Sequence, residues 1–116
     1  MTANFVHLHV HTEYSIVDST VRIPALIDRC ADYGMPAVAL TDQSNVFGLV
    51  KLYRKALGSG VKPIIGVDLR IAGETASDGQ VASTRLILLC QNRAGYQNLT
   101  RLVTRSYLEG QRRGMP

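Results

Sequence analysis

Short apolar runs alternate along this chain with stretches of helical spacing, and glycine and proline mark the boundaries between them. That alternation restricts the fold more than any other feature. Residues 5–10, 37–40, 63–71 and 85–91 read as strands, and residues 24–33, 46–57 and 92–108 as helices. Pro24 suits a first helical turn, where its missing N–H has no partner to lose. Gly34 then stops that helix, and Pro36 prevents its continuation. Ile23, Leu26, Ile27, Cys30 and Ala31 form its inward stripe. Val46, Leu49, Val50, Tyr53, Ala56 and Leu57 form the stripe of the second helix, with Ser44 or Asn45 as cap and Gly58 and Gly60 as stop. Asn92 caps the last helix, whose inward residues are Tyr96, Leu99, Leu102, Val103 and Tyr107. Residues 73–83 read as a polar loop around an Asp78-Gly79 turn. The order β-α-β-α-β-β-α predicts an α/β fold with mostly parallel strands. No helix separates the third and fourth strands, so their pairing is either antiparallel or joined by an ordered loop.

With 116 residues the chain suffices for one domain or a piece of one. Its 46% hydrophobic and 19% charged residues exclude a disordered segment. The apolar run at residues 86–90 is far below the roughly 20 needed to cross a bilayer. The first residues carry no basic, apolar leader, so a cytoplasmic location is expected, with no membrane partner. Cys30 and Cys90 sit inside apolar patterns and read as buried thiols rather than a disulfide. The net charge of +4 permits nucleic-acid contact without requiring it. Arg101, Arg105, Arg112 and Arg113 gather late and read as a solvated helix face running into a loose tail at residues 111–116.

The three histidines, His7, His9 and His11, lie in or just after the first strand, with alternate spacing that points them to one face. Phe5 shares that face, while Val6, Leu8 and Val10 point the other way. Two readings fit: imidazole ligands for a metal ion, or a hydrogen-bonded polar patch at a strand end. Asp42 ends the second strand, Asp68 lies within the third, and Asp18 follows the first closely enough to reach the same rim. Functional groups gather at such strand ends in α/β sheets, although an aspartate after a strand also serves as a helix cap. Together they have the composition of a multinuclear hydrolytic site. Acyl transfer finds no support, because Ser15 lacks a nucleophile elbow. No P-loop or dinucleotide fingerprint occurs either.

Residues 5–15, Phe-Val-His-Leu-His-Val-His-Thr-Glu-Tyr-Ser, resemble the first motif of the polymerase and histidinol phosphatase (PHP) family. Residues 40–50, Leu-Thr-Asp-Gln-Ser-Asn-Val-Phe-Gly-Leu-Val, resemble the second, and residues 62–68, Lys-Pro-Ile-Ile-Gly-Val-Asp, the third. Residues 92–99 are similar to a segment of the bacterial replicative polymerases that carry this domain. The resemblance implies a distorted β/α barrel of which residues 5–110 form the N-terminal part. Further ligand motifs and the polymerising region, with its Mg²⁺, would lie beyond Pro116. The full-length chain would then be a DNA-directed DNA polymerase, a nucleotidyltransferase, and this segment alone would make no DNA.

The resemblance also implies site residues. His9 and His11 match the family's His-x-His ligands, and Asp18 lies where polymerase members place a carboxylate. Metal-binding members read Thr-Asp-His-Gly in the second motif, where this chain has Thr41-Asp42-Gln43-Ser44, and they have glutamate at Asp68. A neutral amide binds divalent ions poorly and the aspartate is one methylene shorter. The implied site for Zn²⁺ or Mn²⁺ at His9, His11, Asp18 and Asp68 is therefore weakened or lost at Gln43. Family members lacking such ligands keep the domain as scaffold and as a dock for a separate proofreading exonuclease. The implied partners are that exonuclease, the other polymerase subunits, and DNA through the full-length chain. Competing readings are a metal-dependent phosphoesterase or 3′–5′ exonuclease, and a pure interaction module.

Overall fold

Helix α1 (Ile23–Asp32) starts at the proline as expected, with Pro24 in its first turn. It ends at Gly34, whose φ of +68° lets the Met35 amide turn back onto the Cys30 carbonyl at 2.8 Å. Strand β1 (Ala37–Leu40) follows, and all four of its residues are buried. Next come helix α2 (Leu49–Ser59), strand β2 (Lys62–Thr75), strand β3 (Val81–Leu89) and helix α3 (Arg93–Leu108). The structure, a computed structural model, describes residues 5–75 and 81–110. The Asp78-Gly79 turn and the expected loose tail at 111–116 lie outside the described residues.

The sheet has the order β1-β2-β3. β1 and β2 are parallel, with Ala37 beside Lys62 and Leu40 beside Ile65. β2 and β3 are antiparallel, which settles the connection that the sequence left open. Both strands run into the span read as a polar loop, β2 to Thr75 and β3 from Val81.

The first expected strand is corrected. Residues 5–10 form no continuous strand and touch the sheet through one parallel bridge, His7 to Val38. The Ala39 amide donates to the His7 carbonyl and the Thr41 amide to the Val10 carbonyl, each at 2.9 Å. The Val10 amide then finds the Thr41 hydroxyl at 2.8 Å in place of a backbone carbonyl, so no ladder propagates. Leu8, placed by alternation on an apolar face, is exposed.

Helix α2 is corrected in its start and in its phase. Asn45 Oδ1 accepts from the Phe47 amide at 3.2 Å, closing a turn where the helix was expected to begin. The helix buries Leu52 and Ala56, while Val50, Tyr53 and Leu57 face outward. Helix α3 is capped by Asn92 Oδ1 on the Gly95 amide at 2.9 Å, as its sequence predicts. It buries Leu99 and Val103 but leaves Leu102 exposed.

Two apolar clusters hold these elements. Ile23, Ile27, Cys30, Val38, Leu40, Leu52, Ala56 and Val61 join α1 and α2 to the sheet. Val67 and Leu69 join β2 to Leu99 and Val103 of α3. Burial pushes the thiols of Cys30 and Cys90 up, in keeping with two unreactive side chains.

Gly66 on β2 lies between β3 and Thr41, the residue that follows β1. A Cβ there would lie 2.6 Å from the Leu88 carbonyl oxygen and 2.9 Å from Thr41 Cγ2. A carbonyl held in the sheet cannot retreat as a flexible side chain can. Gly66→Ala is therefore expected to lower stability by about 2 kcal/mol or more, read as a lower urea midpoint at unchanged slope.

Candidate functional site

The histidine segment is held to the end of β1 by one buried carboxylate. Asp42 is fully buried directly after the strand. Its oxygens accept from the Thr12 amide, from the Thr12 hydroxyl at 2.7 Å and from the Ser15 hydroxyl at 2.8 Å. The Ser15 hydroxyl also accepts from the Gln43 amide at 3.0 Å, and Asn45 Nδ2 donates to the Tyr14 carbonyl at 3.0 Å. A buried carboxylate needs this density of donors to offset its lost hydration. Asp42 is thus a brace between residues 12–15 and the β1 rim; Thr12 is a site residue that the sequence reading did not single out, and Ser15, weighed there only as a nucleophile, serves the brace instead.

Asp68 gathers the chemistry. It lies on β2, 1% exposed, with its amide on the Asp42 carbonyl and its carbonyl accepting from the Ser44 amide. His9 Nε2 stands 3.1 Å and His11 Nε2 2.9 Å from Asp68 Oδ2. His11 Nδ1 is 3.0 Å from both oxygens of Asp18, so this imidazole bridges two carboxylates. Asp18 therefore orients His11 from its far side rather than joining the cluster around Asp68. His7 turns away and packs edge-on against Phe5, with ring centroids 4.7 Å apart. Gln43 lies in register beside Asp68.

Arg85 on β3 completes the cluster. It pairs in register with Arg70, two residues from Asp68 on the same face, which makes it a diagonal neighbour within reach of a long side chain. Its Nη2 bonds Asp68 Oδ2 and its Nε lies 3.3 Å from Asp68 Oδ1. The same Nη2 is 3.3 Å from His11 Nε2. Burial pushes the Asp68 carboxyl up, but hydrogen bonds from Arg85, His11 and His9 together outweigh it, and the carboxyl sits below its usual range. The guanidinium is held above its own usual value, first by its bond to Asp68. One signal of Arg85 was present in the sequence: it is the charged residue that opens an otherwise apolar fourth strand.

His9, His11 and Asp68 bring ligand atoms within 4.8 Å of one another, close enough for one metal ion. Zn²⁺ and Mn²⁺ suit such nitrogen and oxygen donors. The arrangement nevertheless does not fit a resident ion. The Asp68 carboxylate is already neutralised by a guanidinium on the oxygen that both imidazoles approach. Nor does Gln43 supply the further strong ligand that the second motif would need.

The fold and site together define an α/β domain with paired histidines and an aspartate at the rim of its sheet. Residues 7–116 match the PHP domain, and the chain belongs to that family. It is 50% identical over 115 residues to DNA polymerase III subunit alpha of Pseudomonas fluorescens, a match covering 99% of this chain and 10% of the relative. The Pseudomonas aeruginosa subunit is 52% identical over 114 residues, covering 98% of this chain and 10% of the relative. The Escherichia coli K12 subunit is 42% identical over 106 residues, covering 91% and 9%. The chain thus spans about a tenth of the length of these relatives. Among solved structures, an amidohydrolase from Chromobacterium violaceum with bound sulfate and no metal has a TM-score of 0.56 at 20% identity. That match covers 90% of this chain and 34% of that one, and it shows a shared fold.

Because Asp42 accepts only, Asp42→Asn places an NH₂ group against a donor already in position. The loss is expected to be about 1–3 kcal/mol. Urea unfolding checks the loss. Faster amide exchange confined to residues 12–18 checks that the brace, rather than the whole fold, has loosened.

Proposed function

We propose that this chain is the PHP segment of a replicative DNA polymerase of the DNA polymerase III alpha kind, and that it acts as scaffold and docking unit rather than as a phosphoesterase. The observation that carries this reading is the Asp68–Arg85 pair at the centre of the histidine cluster. A hydrolytic metal centre needs open coordination positions and a carboxylate free to bind. Here the shared carboxylate is bonded by a protein cation. Identity of about half over nearly the whole chain supports the polymerase context.

In this reading the longer protein performs DNA-directed DNA synthesis, with Mg²⁺ and DNA held outside this segment. The docking partner is the separate proofreading exonuclease, alongside other subunits of the polymerase. A cytoplasmic location follows from the same context. Among the described residues no helix is long and apolar enough to cross a membrane.

The test has two arms. The purified protein mixed with the proofreading exonuclease subunit is expected to co-elute on gel filtration, and separate elution would overturn the docking role. With Zn²⁺ or Mn²⁺ present, neither a phosphomonoester nor a 3′-ended oligonucleotide is expected to be hydrolysed. Turnover that a His9→Ala, His11→Ala variant abolishes would overturn the non-catalytic role.

A further inference from the structure

We infer that Arg85 is the built-in cation of the His9–His11–Asp68 cluster, occupying the electrostatic place a divalent ion would take, so that arginine and metal exclude one another there. The inference deepens the non-catalytic reading of the same cluster. That reading falls to phosphoester turnover, whereas this one falls to Zn²⁺ affinity, so the two fail separately.

Three observations converge. First, Asp68 is 1% exposed, and a buried carboxylate without a partner is strongly destabilising; where Asp42 is satisfied by neutral donors, Asp68 takes a guanidinium. Second, Arg85 meets both carboxylate oxygens through separate nitrogens, the two-point contact that a planar guanidinium makes and an ammonium cannot. Third, the guanidinium reaches into the ligand set. Its Nη2 lies on the oxygen that His9 and His11 also approach and is 3.3 Å from His11 Nε2. A zinc ion coordinated by Asp68 Oδ2 and the two Nε2 atoms would stand about 2.0–2.2 Å from each. It would then press one cation against another. Arg85 is also half exposed, so its side chain has solvent to retreat into once the bond to Asp68 is broken.

The strand register makes this placement a consequence of the hairpin. Arg85 lies opposite Arg70, and Asp68 is the next same-face position along β2. Asp18 adds to the arrangement from behind His11, holding Nδ1 so that Nε2 faces Asp68 and Arg85. The cluster therefore has a preset ligand geometry and a protein cation within it.

Arg85→Met keeps the apolar stem and removes the charge. Zn²⁺ titration by calorimetry at neutral pH is expected to show affinity at least about ten-fold tighter in this variant than in the unsubstituted protein. Adding His9→Ala and His11→Ala to Arg85→Met is expected to abolish the gain. The melting temperature of Arg85→Met should fall without metal and recover with Zn²⁺. Equal affinity in the two proteins, or a gain that survives loss of both histidines, would overturn the inference. Should Arg85→Met not fold, the unsubstituted protein decides through the NMR signal of its Arg85 Nε–H. That signal is expected to keep its position with a chelator and with equimolar Zn²⁺, and Zn²⁺ that shifts the His9 and His11 ring signals while leaving the Arg85 signal in place would overturn the inference.

Discussion

Asp42 anchors everything that the rim of this sheet does. The segment bearing the histidines is attached to β1 by a single backbone bridge, too little to order a stretch of six residues by itself. The carboxylate supplies the rest. It draws the Thr12 amide and two hydroxyls inward, and the Ser15 hydroxyl passes the linkage on to the Gln43 amide. His9 and His11 reach Asp68 from a chain that is pinned at Thr12 as well as at His7 and Val10. The brace joins residues 27 and 30 apart in sequence, and the cluster it positions joins residues 57 and 59 apart.

Two buried aspartates thus divide the labour at one rim. Asp42 is satisfied by hydroxyls and an amide, neutral donors that fix a loop. Asp68 is satisfied by imidazoles and a guanidinium, groups that carry or can carry charge. Neutral donors give structure at either protonation state of the surroundings. Ionisable donors make a site, since each of them could instead serve a ligand. The loop brace and the charged cluster thus use different carboxylates.

Much of the framework was legible because local rules and tertiary packing agree there. Pro24, Gly34, Pro36 and Asn92 act through backbone sterics and capping, which need no distant partner. Residues 37–40 are apolar on both faces because the strand is wholly buried. Reading failed where a side chain replaced a backbone partner. Thr41 took the Val10 amide and ended the ladder, and Asn45 closed a turn that delayed α2 and shifted its inward stripe to Leu52 and Ala56. The rim residues His9, His11, Asp18 and Asp68 do converge, with Asp18 behind His11. The role of Arg85 was hidden for a different reason, although its charge at the start of the fourth strand was in plain view. Its importance depends on the register of a hairpin whose direction the sequence left open.

Ser44 ties the departures together. It holds φ at +55°, a left-handed backbone that glycine adopts freely and other residues adopt at some cost. The second motif resembles a pattern with glycine at this position, and the left-handed backbone of Ser44 is one that glycine would adopt freely. Ser44 keeps that shape because its amide donates to the Asp68 carbonyl and the Asp68 amide donates to the Asp42 carbonyl. These main-chain bonds do not depend on whether residue 43 is a histidine or a glutamine. The backbone that carries Asp68 is therefore held independently of the side chain at residue 43. The geometry of the rim is set by the brace and these main-chain bonds, and the cation beside Asp68 is the feature that bears on its chemistry.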